Sequence, residues 1–238
     1  SLNLGQTVHE LDVLVGFGAT KTSLLLAPLC YEGIVCPSED TRDRIRNEMG
    51  CGVSTRVILF LGRFHKTKGV VDLIESFSLS SRKKSDAQLW LVGVDDGDLI
   101  NIKETIERLK LESTVKVVLP KYGNERFDWY FSSDLYAISP IIFEETPLAA
   151  VEALSVGTPV LTNVKAEVPF LSEYNAGYIT KDVDNFREIL DDFLMSTDFE
   201  LYELREGARK CFRREFNLSK NVENLYTKFA RLESDCKI

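Results

Sequence analysis

Between Thr55 and Thr180 the apolar positions fall into two alternating patterns. Short runs rich in Val, Leu and Ile, at Arg56–Leu61, Gln88–Val92, Val115–Leu119, Leu135–Ile138 and Pro159–Thr162, read as strands. Their near-continuous apolarity is that of a sheet buried on both faces. Amphipathic stretches at Val70–Ser80, Leu99–Leu109, Glu125–Ser132 and Leu148–Val156 lie between them, the first with Val70, Leu73, Ile74 and Phe77 at helical spacing. This alternation predicts an α/β fold, a Rossmann-like parallel sheet with helices on both faces. After Thr180 the strand signals stop, and helices are expected at Val183–Met195, Asp198–Arg214 and Leu218–Leu232, with Asn217 as a cap between the last two. Before Arg56 the pattern predicts a strand at Leu11–Val15, a short helix at Thr20–Leu26, a strand at Gly33–Cys36 and a charged helix at Asp40–Met49.

Composition narrows what such a fold can do. The chain has 238 residues, 44% hydrophobic and 28% charged. A globular chain of that size buries roughly 70–75% of its unfolded surface, which excludes disorder and fibrous repeats. Lys and Arg number 29 against 37 Asp and Glu, a formal charge of −8. No chain-wide attraction to nucleic acid or to an anionic bilayer follows, so any phosphate binding has to be local. The longest apolar runs, such as Leu24–Leu29 and Val57–Leu61, are far shorter than the ~20 residues of a membrane-spanning helix. The start, Ser1-Leu2-Asn3, has neither an initiator Met nor the pattern of a signal peptide, and is expected to be processed or trimmed. Five scattered cysteines (Cys30, Cys36, Cys51, Cys211, Cys236), no C-x-x-C pair and two histidines point to reduced thiols in a cytoplasmic protein and to no metal site.

Three segments suggest phosphate chemistry. In Gly16-Phe17-Gly18-Ala19-Thr20-Lys21-Thr22, Thr20 stands where a P-loop needs Gly and Lys21 where a dinucleotide loop needs Gly, so a plain glycine turn fits better. Gly62-Arg63-Phe64-His65-Lys66-Thr67-Lys68-Gly69 follows a strong strand and precedes an amphipathic helix. Strand ends of a doubly wound sheet are where ligands bind, and Arg63, Lys66 and Lys68 suit a phosphate or diphosphate as readily as they suit a solvated basic turn. The third segment runs from Ser139 to Leu148. Thr146 is expected at the N-cap and Pro147 at the first helical position, leaving the amides of Leu148 and Ala149 free for an anion. Glu144 and Glu152 bracket that helix start, where a carboxylate can accept hydrogen bonds from vicinal hydroxyls or simply face water.

Together the second and third segments resemble the group 1 retaining nucleotide-sugar glycosyltransferases of the GT-B fold. G-R-x4-K-G is present as Gly62–Gly69, and E-x7-E followed by E-A-x3-G-x-P-V as Glu144–Glu152 and Glu152–Val160, with Leu89-Trp90-Leu91-Val92-Gly93 between them. The resemblance covers Val35 to about Thr180. It implies that Arg63 and Lys68 hold a donor diphosphate, with Gly62 opening that loop. It also implies that Glu144 approaches the transferred sugar, Glu152 binds the ribose, Thr146 and Leu148 offer amides, and the base meets Pro120–Tyr122, including Tyr122. Arg63, Lys68 and Glu144 would be the catalytic set. Residues 1–37 would be the remnant of an N-terminal acceptor domain with its linker, and residues 38–238 the donor-binding half, with the acceptor held by the other domain. No metal and no cofactor beyond the nucleotide sugar are implied.

This chain departs from the family pattern in places. Glu144-Glu145-Thr146-Pro147 stands where many members read E-G-F-G, Ser139-Pro140 reverses the usual P-S, and Asp134 lies one residue further from Glu144 than expected. Two other functions compete with sugar transfer. One is a stand-alone nucleotide-sugar-binding or partner protein. The other is a metal-dependent GT-A transferase using Asp96-Gly97-Asp98, a triplet that also reads as caps for the Leu99–Leu109 helix. His9 and His65 read as incidental histidines rather than a general base, and a surface left for a missing domain would favour a homodimer.

Overall fold

The computed structural model describes residues 3–31, 36–81 and 86–235. At the start, β1 (Asn3–Gly5) pairs in parallel with β2 (Leu24–Leu26), and α1 (Val8–Gly16) with a 3-10 turn at Lys21–Ser23 joins them. The run Leu11–Val15, expected as a strand, therefore lies in a helix, and the expected helix Thr20–Leu26 is a turn running into a strand. Leu11 and Leu14 are three residues apart, which a helix places on one side and a strand on opposite faces. The cap that decides the matter lies upstream, where the Thr7 hydroxyl accepts from the Glu10 amide. Of the expected strand Gly33–Cys36, all but Cys36 falls outside the described residues.

The charged helix forms as α2 (Glu39–Glu48), its first turn capped by Ser38, which accepts from the Thr41 amide. Six strands then build one parallel sheet: β3 (Arg56–Leu61), β4 (Ala87–Val92), β5 (Val115–Val118), β6 (Leu135–Ala137), β7 (Val160–Asn163) and β8 (Gly177–Thr180). Their order is β5-β4-β3-β6-β7-β8, the doubly wound arrangement in which the direction of winding reverses between β3 and β6. The crossovers are α3 (Val70–Ser80), α4 (Leu99–Leu109), α5 (Glu125–Ser132) and α6 (Leu148–Ser155), all where helices are expected. Strand β8 is an addition, a four-residue edge strand with Tyr178 and Ile179 partly open to solvent and too short to register as a pattern. Three helices follow, α7 (Val183–Met195), α8 (Asp198–Cys211) and α9 (Leu218–Asp235), with a π-helical turn at Phe212–Phe216 where the sequence predicts continued α-helix.

The core is continuous from β3 and β4 outward. Val57, Ile58, Leu59, Leu89, Trp90 and Leu91 are fully buried, packed with Phe60, Phe64 and Phe77. Burial of each such side chain contributes about 1.5–3 kcal/mol. One charged group sits inside this frame. Asp134, 1% exposed and just before β6, accepts from the Val57 amide of β3 (2.9 Å), Arg42 (2.8 Å) and Arg46 (3.2 Å) of α2, and Arg205 (3.2 Å) of α8. Burial by itself would raise the Asp134 carboxyl, but Arg205, Arg46, Arg42 and the Val57 amide together hold it below the ordinary Asp range.

Two outcomes are expected. Asp134→Asn removes the negative charge that pairs with three guanidinium groups and should lower unfolding free energy by about 3–5 kcal/mol in urea titrations. Because the folded pKa lies below the unfolded one, the stabilisation from Asp134 is complete above the unfolded value near 3.9 and is lost as pH falls through the folded one. The wild-type loss of stability below about pH 4 should therefore be shallower in Asp134→Asn; parallel curves for the two proteins would refute the assignment.

Candidate functional site

All six strands run parallel, so their carboxyl ends open on one edge, and the reversal between β3 and β6 leaves a crevice there. The loop leaving β3 is Gly62–Gly69. Its last three residues before Gly69 form a 3-10 turn, and Gly69, at φ 66°, ends that turn and starts α3. A Cβ on Gly69 would lie 1.7 Å from the Ser139 carbonyl oxygen, so the first turn of α3 presses directly on the loop leaving β6. The two loops are also bonded, Ile141 donating its amide to the Thr67 carbonyl at 3.0 Å. Thus β3 and β6, adjacent in space and far apart in sequence, present the two predicted motifs side by side.

Within this crevice Lys68 forms an ion pair with Glu144, both side chains about one-fifth exposed. The Glu144 backbone is fixed from the other side: its amide donates to Lys165 (2.7 Å) and its carbonyl accepts from Glu167 (3.1 Å), both on the loop after β7. Arg63 is more open, at 63% side-chain exposure, and pairs with Asp96 at 2.7 Å. The Asp96 turn hangs on the Phe64 carbonyl, which accepts from the Asp96 and Asp98 amides at 3.1 Å each. Asp98 itself is 4% exposed and accepts from the Asn101 side chain. The expected capping by Asp96 and Asp98 is performed instead by Asp95, whose carboxylate accepts from the Gly97 and Leu99 amides. The turn folds back far enough to leave Asp95 beneath those amides.

At the start of α6 the sequence expectation shifts by one residue. Pro147 has φ −61° and ψ 121°, an extended conformation, so it is the cap and Leu148 the first helical residue. Thr146 is 6% exposed, does not cap the helix, and among the described residues its hydroxyl has no hydrogen-bond partner. The Leu148 and Ala149 amides have no carbonyl a turn earlier to bond, and Leu148 is 44% exposed. Glu152, 5% exposed, accepts from Arg126 at 2.8 Å and from the Tyr130 hydroxyl at 3.3 Å. Burial first, then Tyr136 and Glu152, raises the Tyr130 hydroxyl well above its ordinary range, so it stays a donor. Tyr136 on β6 is raised by burial and then by Glu144 and Glu152, placing it in the field of both carboxylates. Tyr122 stands apart on the loop after β5, two strands from β3 in the sheet order and 70% exposed.

Sequence reasoning missed Arg126, which also donates to the Tyr31 hydroxyl and lies 4.7 Å from the centre of the Phe127 ring. Its only signal is that Arg126 and Tyr130 share one face of α5 at i, i+4. Other concavities exist, one of about 590 Å³ lined by Asn175, Tyr178, Asp192, Glu200 and Glu203 among others. With three carboxylates and no cation among its lining residues, it is the wrong sign for a phosphate. A second, of about 480 Å³, is lined by Lys210, Arg213, Arg214 and Lys220, but it lies on α8, α9 and the turn between them, whereas the crevice has Arg63 and Lys68 at the strand ends where a doubly wound sheet binds its ligand. Among the described residues no group of three or more His, Cys, Asp or Glu is arranged to hold a metal ion.

Residues 41–210 match the family model described as glycosyl transferases group 1. Mannosylfructose-phosphate synthase of Agrobacterium fabrum is 29% identical over 171 residues, 68% of this chain and 37% of that protein. D-Inositol 3-phosphate glycosyltransferase of Corynebacterium jeikeium is 26% identical over 176 residues, 71% of this chain and 41% of that one. The chain thus spans about two-fifths of the length of these relatives. Among solved structures, Anabaena HepE in complex with UDP superposes with TM-score 0.80 at 16% identity, covering 97% of this chain and 64% of that one. The C-terminal domain of a group 1 glycosyl transferase, LpcC of Francisella tularensis, superposes with TM-score 0.66 at 20% identity, covering 76% of this chain and 95% of that one. These likenesses show the fold.

Gly69→Ala should separate contact from conformation at this junction. Gly97, at φ 94° with nothing near its would-be Cβ, supplies the control. Gly97→Ala should lose about 1 kcal/mol for the left-handed backbone alone, and Gly69→Ala about 2–4 kcal/mol because Ser139 must also move. Equal losses in denaturant titrations would contradict the packing of α3 on the β6 loop.

Proposed function

The chain belongs to the group 1 glycosyltransferases, and we propose that it supplies the half of such an enzyme that binds a nucleoside diphosphate sugar and transfers the sugar with retention of configuration. The observation that carries this reading is the Lys68–Glu144 ion pair at the β3–β6 switch point, with Arg63 on the same loop as Lys68 and the start of α6 following Glu144 on its loop. Arg63 offers a planar fork and Lys68 a point charge to the two phosphates, and the α6 amides add donors. The same groups would stabilise the departing diphosphate, where negative charge grows in the transition state. Glu144, freed from Lys68 as the phosphates take that ammonium, accepts from sugar hydroxyls. Glu152 has lone pairs left for ribose hydroxyls even with Arg126 and Tyr130 bound, since a carboxylate offers about four acceptor sites. Tyr122 and Pro120 would lie toward the base.

The division at residue 37 belongs to the same proposal. Strands β1 and β2 form a two-stranded sheet separate from the main one, as the last unit of an acceptor domain would, and the match to a C-terminal domain over nearly all its length agrees with this. UDP is the first nucleotide to test, because the Anabaena structures hold UDP and UDP-glucose. An alternative is binding without transfer, in which case no acceptor would be glycosylated even with a complementary N-terminal domain supplied.

No divalent ion is needed in this scheme. Asp98 is buried and bonded by Asn101, which takes one carboxylate of the D-x-D pair away from a shared ion, and Arg63, Lys68 and the α6 amides would offset the diphosphate charge.

Calorimetry with UDP, GDP and ADP against the bare nucleosides tests the scheme. Arg63→Ala should weaken the preferred diphosphate about 10- to 150-fold, the value of a hydrogen bond to a charged group, and leave the nucleoside nearly unaffected. Equal losses for both would sink the diphosphate role. The diphosphate should also bind equally well in EDTA and in excess Mn²⁺ or Mg²⁺. A metal requirement abolished by Asp96→Asn/Asp98→Asn would move the site to the Asp96 turn.

A further inference from the structure

Residues 143–145 meet the N-terminal end of α1. The Thr7 hydroxyl, fully buried, accepts from the Glu10 amide and donates to Glu145 at 2.6 Å. The next two amides of α1, those of Val8 and His9, donate to the Glu167 carboxylate at 3.1 and 3.3 Å. The His9 ring lies 4.5 Å from that of Phe143. Two carboxylates thus occupy the positive end of one helix, where the orphan amides and the helix dipole favour negative charge. Both belong to the frame of Glu144: Glu145 is its neighbour in sequence, and the Glu167 amide donates to the Glu144 carbonyl.

We propose that Glu145 and Glu167 are positioning residues, which seat the β1–α1–β2 unit against the loop bearing Glu144 and thereby set how that carboxylate meets the donor sugar. The inference rests on the donor-binding reading above and adds a role for the N-terminal unit. Of the proposed diphosphate contacts, Arg63 and Lys68 lie on the β3 loop, which α1 does not hold, whereas the α6 amides follow Glu145 on the loop that it seats. Release of α1 should consequently loosen recognition of the sugar more than that of the diphosphate.

The experiment compares the full chain with Glu145→Ala/Glu167→Ala and with the conservative Glu145→Gln/Glu167→Gln, whose amide oxygens still accept from Thr7, Val8 and His9. Hydrogen exchange reads the docking of α1, with the amides of β3 and β6 as the folding control, and calorimetry reads UDP and UDP-glucose, or GDP and GDP-mannose if those bind better. In the Ala variant the α1 amides should lose protection while β3 and β6 keep theirs. Affinity for the nucleotide sugar should fall about tenfold, as for one lost hydrogen bond to a charged group, and affinity for the diphosphate by a smaller factor. The Gln variant should recover most of both. Undiminished protection of α1 overturns the seating, and released α1 with unchanged sugar affinity overturns the coupling, in both cases leaving the proposed function intact. A wild-type chain that binds neither diphosphate nor nucleotide sugar overturns the proposed function, and the coupling with it.

Discussion

A single buried carboxylate holds the amino-terminal edge of the sheet together. Asp134 joins α2, α8, β3 and β6, and without it Arg42, Arg46 and Arg205 would face one another across a nearly dry interior. Buried ions are tolerated only when paired and hydrogen-bonded, so this cluster locks β6 beside β3 in one register. The consequence appears at the other end of the same two strands. Because β3 and β6 are adjacent, the loops that leave them converge, and Lys68 meets Glu144 across 76 positions of sequence.

Charge balance then governs the crevice. Among the candidate residues, Arg63 is satisfied by Asp96, Lys68 by Glu144, and Glu152 by Arg126 and Tyr130. The exposed Arg63–Asp96 pair is worth about 0–1 kcal/mol and exchanges readily for a phosphate, whereas Glu152 is held from two sides in a buried place. An anion arriving here finds cations already oriented, and its main electrostatic cost is to displace Asp96 from Arg63 and Glu144 from the more buried Lys68. That arrangement suits a ligand carrying more than one negative charge.

The elements that enclose this edge come from separate parts of the chain. Tyr31 bonds through its backbone to Phe216 and Leu218 and through its hydroxyl to Arg126, so the segment that follows β2, the π-helical turn, α9 and α5 meet at one residue. On the opposite flank, α1 rests on Glu145 and Glu167. The N-terminal unit is tied to the loops after β6 and β7 by directional hydrogen bonds more than by apolar packing, and such contacts are specific in geometry while modest in energy.

Local pattern determined a large part of this protein. Apolar runs long enough to be buried on both faces located β3 to β7, helical spacing located α3 to α9, and G-R-x4-K-G with E-x7-E identified the residues now seen at the strand ends, because each of these signals is read within a few residues. What failed was short or borderline: Leu11–Val15, whose spacing fits either period, β8 with four residues, and the cap at Pro147, one position from its expected place. Arg126 beside Glu152, Asp96 on Arg63, and Glu145 and Glu167 on α1 were invisible, since those pairs lie 26 to 159 positions apart. Only the tertiary structure decided them, because a side chain's partner depends on which strands are neighbours in the sheet, and that order is set by the burial of the whole core and by Asp134 rather than by any local run of residues.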